Sequence, residues 1–562
     1  MTSPGLAIFI AQIAVSAARY CANWLLNSVT GNNHLVLFGG MSNQPDSLNP
    51  DDLCVLNDVR LFDLESRHWL PEEPLKLLPD DPNVPGARYA HLSSITANRL
   101  FVIGGQDFFN TWLDDVCVYD IVLKTWVQKR DYPRHCGTYR SVAVSSAYTV
   151  RIPQDEAQSS DTLGPSGTRF QMDKSTPLAE VTPSNTLTHL PYTTQPTDEH
   201  PSDIFLYSNY NVSYFCTESL LHVAHRGIRT QFTDVKRELE VFSPLPGTDF
   251  TVNDRSERMT GSTLPPGLRF PTGAVLGTHL IIAGTYLAHS YQSFSIWVLD
   301  LVSMVWSRID PGKAIESGSW FRGCLWAEGS KFYTFGNRKG NLVDDYNRRL
   351  LSWDHVAVTD LEAFGIYQPP SLRIDISMQE LGLAVLEEQA LADFEIVCDD
   401  NRRISCSRKI LEDRWPWFKL QRIRMLHRAQ AASNRLPTSD MHVNLPVLPG
   451  TASVEENQLD PRLTPRVLFL SEPWPVTMAL LQYFYTTALI TPLQHAPAVL
   501  SQLLVLGATY QLNHLVSLVT HAMHLALSNS NSVAVYEVAT LCGCRGLQIR
   551  FVFCFSFPAI RD

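Results

Sequence analysis

Leu100-Phe101-Val102-Ile103-Gly104-Gly105, followed by Val118-Tyr119-Asp120-Ile121 and then Trp126, is the stretch on which the reading of this chain turns. An apolar run ends in paired glycines, a second apolar run ends in Asp, and a Trp stands six residues after that Asp. The same phrase stands earlier as Leu35-Val36-Leu37-Phe38-Gly39-Gly40, Leu61-Phe62-Asp63-Leu64 and Trp69. It returns later as Leu280-Ile281-Ile282-Ala283-Gly284 with Asp300 and Trp306, at the same Asp to Trp spacing. A phrase recurring in register marks a repeat architecture, in which each unit buries its apolar faces only by stacking on its neighbours. Short apolar runs bounded by turn residues are strands. Paired glycines allow positive φ and close backbone approach where a side chain would clash.

The phrase resembles the kelch motif over roughly residues 19 to 367, and the resemblance implies four-stranded blades forming a β-propeller. On that reading Gly39, Gly40, Gly104, Gly105 and Gly284 serve the turns. Tyr119 with Trp126, echoed by Phe62 with Trp69, and Trp306 fill the space between blades. Arg19-Tyr20, Arg88-Tyr89 and Arg269-Phe270 recur upstream of the glycine turns, and Phe321-Arg322 gives a reversed version. Segments at Ser141 to Ser145, Ile204 to Tyr207 and Leu239 to Phe242 assemble a further unit whose glycine pair has become Ser208-Asn209. The expected count is five to six blades. Residues 151–202 are rich in Ser, Thr, Pro, Gln and Asp without periodicity, and they read as a disordered insertion between two strands of one blade.

After Tyr367-Gln368-Pro369-Pro370 the texture becomes helical. Asp393-Phe394-Glu395-Ile396-Val397, then Ile404 to Leu411, Trp415-Pro416-Trp417-Phe418 and Leu480 to Thr487 resemble in order the landmarks of a BTB/POZ domain. The expected architecture is therefore multidomain, an all-β kelch propeller followed by an α/β BTB/POZ domain. Its expected boundaries are an apolar N-terminal segment at 1–18, the propeller at 19–370, a linker at 371–390, and the BTB/POZ domain at 391–527 with an insertion at 429–465. A helical extension with an apolar tail takes 528–562. Ser532 to Leu547 reads as one helix, and Phe551 to Phe557 as a buried strand or a loose tail. The resemblance implies self-association, as a homodimer or hetero-oligomer, through a face near Ile396, Ile410, Leu411 and Trp417.

Composition narrows the function. With 562 residues, 45% hydrophobic and 18% charged, the chain is that of a folded multidomain protein. A net charge of −11 argues against general nucleic-acid binding, and no run is long enough to span a bilayer. Eleven cysteines without regular spacing fit reduced thiols of a cytoplasmic protein. Gly-rich phosphate loops and nucleophile elbows are missing from the sequence. A copper site of the galactose-oxidase kind needs Tyr, His and Cys in concert, and His91, His135, His222, His225 and His279 form no such set. Asp114-Asp115 and Asp344-Asp345 read as solvated turn acids.

The reading is a non-enzymatic adaptor or scaffold without cofactor or metal. Its kelch-before-BTB order resembles fungal kelch and BTB proteins of Ras signalling and the leucine-zipper-like regulator family. That resemblance implies a Ras-like GTPase or its regulator as partner, and a role in cell morphology or mating in a fungus. A cullin ubiquitin-ligase receptor is the alternative, and a copper enzyme the remote one. Arg19, Arg88, Arg269 and Arg322, if equivalent by repeat symmetry, either each tie neighbouring strands together or form a partial ring for an acidic client. A basic run from Arg402 to Arg428 reads as the solvated face of a helix or as a partner or membrane surface.

Overall fold

In the computed structural model the described residues are 34–44, 52–63, 65–70, 82–151, 187–213, 233–288, 291–327, 329–347, 353–433, 466–528 and 530–556. The chain divides into two compact units, one of residues 1–150 with 193–368 and one of residues 151–192 with 369–562.

Among the described residues the first unit holds five blade sheets, whose neighbouring strands are all antiparallel. Blade 1 is β1 (His34–Asn43), β2 (Leu53–Asp63) and β3 (His68–Trp69); blade 2 is β4 (Leu92–Thr96), β5 (Arg99–Ile103), β6 (Asp115–Asp120) and β7 (Thr125–Asp131). Blade 3 opens with β8 (Ser141–Ser145). A short ladder of β9 (Thr149–Arg151) and β10 (Tyr192–Thr194) follows, and β11 (Ile204–Ser213), β12 (Thr233–Pro244) and β13 (Phe250–Asp254) complete the blade in the order β13-β12-β11-β8. Blade 4 is β14 (Leu268–Leu276), β15 (His279–Ala288), β16 (Tyr291–Asp300) and β17 (Val305–Ile309). Blade 5 is β18 (Ser319–Trp326), β19 (Lys331–Asn337) and β20 (His355–Asp360), with the helix α1 (Leu342–Asn347) inside its second connection.

Period-two alternation explains the stacking. In β5, Leu100 and Val102 pack with Val36 and Phe38 of blade 1, whereas Phe101 and Ile103 pack with Ile204, Phe242 and Phe250 of blade 3. In β15, Leu280 and Ile282 face blade 3 while Ile281 and Ala283 face blade 5. Both faces of such a strand are buried, so its sequence is a continuous apolar run. Four core clusters result, one for each successive pair of blades.

The Asp to Trp spacing has a local cause. Asp120 Oδ1 accepts the N–H groups of Val122 and Leu123, and Asp63 and Asp300 cap their turns in the same way. The residue four after each Asp then takes positive φ: Arg67 at 59°, Lys124 at 55° and Met304 at 59°. Two residues later the returning strand presents its Trp. Such Asx turns tighten the hairpin and fix its register. Trp126 meets Tyr119 and, from blade 1, Phe38, each at 5.1 Å, and Trp306 meets Tyr207 of blade 3 at 5.3 Å. Trp69 differs: it packs on Phe62 at 5.2 Å yet stays 39% exposed.

The second unit is α/β. Its sheet has the order β22-β21-β23, in which β21 (Phe394–Val397) and β22 (Arg403–Cys406) form an antiparallel hairpin and β23 (Val467–Phe469) runs parallel to β21. Around it lie α2 (Ile376–Glu387), α3 (Arg408–Arg414), α4 (Pro416–Ser433), α5 (Trp474–Thr486), α6 (Pro492–His495), α7 (Pro497–Thr509), α8 (Asn513–Ala526), α9 (Ser532–Leu541) and α10 (Arg545–Ser556). Proline near the start of α5, α6 and α7 fits the first turn, where an amide hydrogen has no helical partner. Fully buried Trp415 sits in the core, stacked with Trp417, Phe418 and Phe484 and edge-on to Tyr510.

Three expectations are corrected here. The insertion is not featureless over its whole length: Thr188 donates to Ile490 O, His521 Nε2 donates to Pro191 O, and Leu190 packs on the second unit's core. Farther along, Thr96 Oγ1 donates to Ser202 O. The stretch expected as a linker contains α2, whose Leu383 and Leu386 are buried and whose Gly382 would place a Cβ 2.3 Å from Tyr485 O. Ser532 to Leu547 is two helices, not one, broken where Gly543 takes φ +70°, and the apolar end is helical through Ser556 rather than a strand. The N-terminal segment and most of the 429–465 insertion lie outside the described residues.

Candidate functional site

The glycine pairs decide how each blade presents its second connection. In blade 2, Gly104 and Gly105 take φ of +59° and +96°, so the chain leaves the strand sharply. A Cβ on Gly104 would stand 2.6 Å from Cys136 O, and Gly105 N donates to that same carbonyl at 3.1 Å. Gly39 plays the equivalent part in blade 1, where its Cβ would meet Arg88 O at 2.9 Å. Gly284 has no positive φ and no glycine before it. β15 therefore runs straight on into a long hairpin with β16, as β11 with Ser208-Asn209 does with β12.

In blade 2 the released loop, Gln106 to Trp112, is built by its own polar groups. Asp107 Oδ1 accepts from Phe109 N and Thr111 N, both at 2.8 Å, and Asp107 N donates to Thr111 O at 3.0 Å. Asn110 takes φ +63°, a conformation that Asn tolerates. Its side-chain oxygen accepts from the Tyr89 hydroxyl, and Gln106 Nε2 donates to its carbonyl at 3.1 Å. Tyr89 and Gln106 exchange backbone bonds at 2.9 Å, and Trp112 stacks on His135 at 5.8 Å. This frame holds Phe108 and Phe109 at the tip, 53% and 82% exposed, with their rings edge to face at 5.8 Å. The sequence carried a signal that was missed: two adjacent aromatics between turn-forming Asp and Asn cannot both follow an inward alternation.

Of the two readings of the recurring arginines, Arg88 follows the strand tie and not the client ring. Arg88 is fully buried and grips Asp115 through both terminal nitrogens, at 2.5 and 3.1 Å, while its remaining donors reach Gly104 O and Gly86 O. It braces the glycine turn and is withdrawn from any client. Burial alone would raise the Asp115 carboxyl, but Arg88 and Lys129 hold it below the usual carboxylate range. Asp115 is thus one arm of a buried pair and not a solvated turn acid. Arg269 is exposed and Arg322 half-buried, whereas Arg19 lies outside the described residues.

The residues expected at a dimer face divide the same way. Ile396 and Leu411 are fully buried in the second unit's own core, so neither can be offered to another copy; Ile410 and Trp417 are half-buried against that core.

Reactive chemistry is weak at the sites available. Burial pushes the Cys117 and Cys136 thiols up to about 12, away from nucleophilic thiolate. Burial and nearby Arg88 lower His91 to about 3, so it is a neutral core histidine. Among the described residues no group of three His, Cys, Asp or Glu side chains could hold a metal, and no helix is long and apolar enough to cross a membrane.

Residues 87–131, which span blade 2 and its Arg88-Tyr89 entry, match the kelch motif. The chain is 27% identical over 552 residues to protein ral2 of Schizosaccharomyces pombe, covering 92% of this chain and 80% of that protein. It is 25% identical over 320 residues to the negative regulator of sporulation MDS3 of Candida albicans, covering 54% of this chain but 21% of that much longer protein. A solved structure of YjhT, 12% identical, overlays 56% of this chain and 76% of its own with a TM-score of 0.30, too loose a likeness to bear on the fold. The chain therefore carries a kelch motif within a many-sheeted β architecture that fits a kelch propeller, and it is similar to fungal proteins of which one is named as a regulator.

Proposed function

We propose that this chain is a non-enzymatic scaffold whose propeller captures a protein client through the Gln106 to Trp112 loop. The observation that carries the reading is the exposed Phe108-Phe109 pair on a loop already fixed by five internal hydrogen bonds and three to Tyr89. Rigid aromatic anchors bind well because little entropy remains to be lost on association. Exposed Arg269 is retained as a secondary contact.

The setting we assign is Ras-type GTPase signalling in a fungal cytoplasm, with the GTPase or its regulator as client. The similarity to the two fungal proteins supports a regulatory role, and nothing observed favours the cullin alternative. We read the second unit as BTB-like and self-associating. Its support is the hairpin with a parallel third strand, flanked by helices, and the Tyr485 hydroxyl that accepts from Ser407 N at the start of α3.

Proximity labelling of the full chain beside its Phe108→Ser/Phe109→Ser variant tests the reading. A Ras-like GTPase or its regulator should be enriched by the parent and reduced at least tenfold by the variant. An identical set of neighbours for both proteins, or a set without any such GTPase or regulator, overturns it.

A further inference from the structure

The helix α4 carries four Lys or Arg residues and no Asp or Glu over Pro416–Ser433, inside a chain whose net charge is −11. Its inner face is accounted for: Phe418 is buried, Met425 packs on the core, and Arg422 pairs with Glu412 at 2.6 Å. The outer face is not. Lys419, Leu420, Ile423, Arg424 and Arg428 recur at three- and four-residue spacing and therefore share one side of the helix. Leu420 is 56% exposed and Ile423 39% exposed. The neighbouring cations show what ordinary surface pairing looks like. Arg402 bonds Asp400, Arg403 bonds Glu395, Arg408 bonds Asp393 and Lys409 bonds Asp413, all within 3.4 Å. Among the described residues Lys419, Arg424 and Arg428 have no acidic partner of this kind.

Arg424 and Arg428 are also like charges four apart, an arrangement that weakens an isolated helix by a few tenths of a kcal/mol. Helix stability therefore does not explain the pattern, and core packing does not use it. We propose that this outer face docks an acidic protein segment that sets apolar side chains between its carboxylates. Leu420 and Ile423 would meet the apolar side chains, and the three cations the carboxylates. The occupant follows from charge complementarity: a cationic rim without acidic partners among the described residues, set around two aliphatic side chains, fits an acidic amphipathic helix. This surface lies on the second unit and is independent of the propeller loop.

The test uses the full chain and an 18-residue probe peptide with Glu and Leu on one helical face, titrated by fluorescence anisotropy at 50 mM and 300 mM salt. The parent should bind, and binding should weaken at least threefold at the higher salt. Lys419→Gln/Arg424→Gln/Arg428→Gln should reduce affinity at least tenfold, and Leu420→Ser/Ile423→Ser at least fivefold. Arg402→Gln, which touches an exposed pair elsewhere, should leave it unchanged. All the substituted side chains are exposed, and circular dichroism should show each variant folded. Failure of the parent to bind, or equal binding by the Gln variant, overturns the proposal. So does capture of phosphatidylserine vesicles by the parent in place of the peptide, which would make the face a membrane surface.

Discussion

The two units of this chain bury apolar side chains by opposite strategies. In the first unit the core of the described residues is divided into four clusters, each shared by two successive blades. In the second unit one large cluster runs from Leu386 to Leu547 and joins the sheet to the helices around it, with a small satellite at Leu383, Ala488 and Ile490. Repeats tolerate local damage because each touches only its neighbours, whereas a single core transmits it. The first strategy leaves loops such as Gln106 to Trp112 free to vary, and the second suits a unit that must act as one body.

The sharpest way to break this contrast is to remove a buried tryptophan from each unit. Trp415→Ala and Trp306→Ala should each cost about 3–5 kcal/mol, the usual range for emptying such a site. Hydrogen exchange should distinguish them. The first substitution should speed exchange throughout α5, α7 and the β21–β22 hairpin, and the second only in blades 3 and 4. Uniform loss of protection over all five blades with Trp306→Ala would show that the propeller is one cooperative core after all.

Acid separates the units next. His521 is 3% exposed and donates to Pro191 O, and burial, outweighing that bond and joined by nearby His524 and His495, lowers it to about 4. A histidine with an unfolded value near 6.5 and a folded value near 4 stabilises fully above pH 6.5, and that stability drains away as pH falls to about 4. At most about 3 kcal/mol is at stake for this residue. His514, also lowered to about 4 by burial and by Arg373, adds to the effect in the same unit. Among the described residues the first unit holds one such histidine, His91, lowered to about 3, against His514 and His521 in the second, so hydrogen exchange at pH 4.5 and 7 should show the second unit loosening more. His521→Gln, which keeps a donor but cannot titrate, should shrink the pH dependence; an unaltered profile would remove His521 from the account.

The smallest expected effect concerns the turn code. Asp120→Ala deletes the acceptor for Val122 N and Leu123 N and should cost about 1 kcal/mol, seen as a lower melting temperature with exchange rising only at the β6–β7 hairpin. Asp120→Asn, which retains the acceptor, should recover most of that loss.

Much of the propeller was legible because its signals are local. An apolar run, an Asp that caps its own turn and a Trp at fixed spacing each act within a few residues, so chain order reveals them. The glycine pair was legible as a turn, yet its reason was remote: Gly104 is required by the backbone at Cys136, which belongs to the entry of the next blade. The arginines were ambiguous for the same reason. Their recurrence fitted an exposed ring or a tie between strands, and only the fold shows that Arg88 finds Asp115, 27 positions on, and is buried by it. Ile396 and Leu411 were likewise placed at a surface by resemblance and turn out to belong inside.

By itself, the sequence determined the β-repeat character of the first unit, the six-residue hairpin code and the change to α/β texture after residue 370, since each depends on backbone preference and short-range periodicity. The tertiary structure decided which polar and apolar groups face solvent. Burial sums over neighbours distant along the chain, and no local pattern could draw Arg88 within.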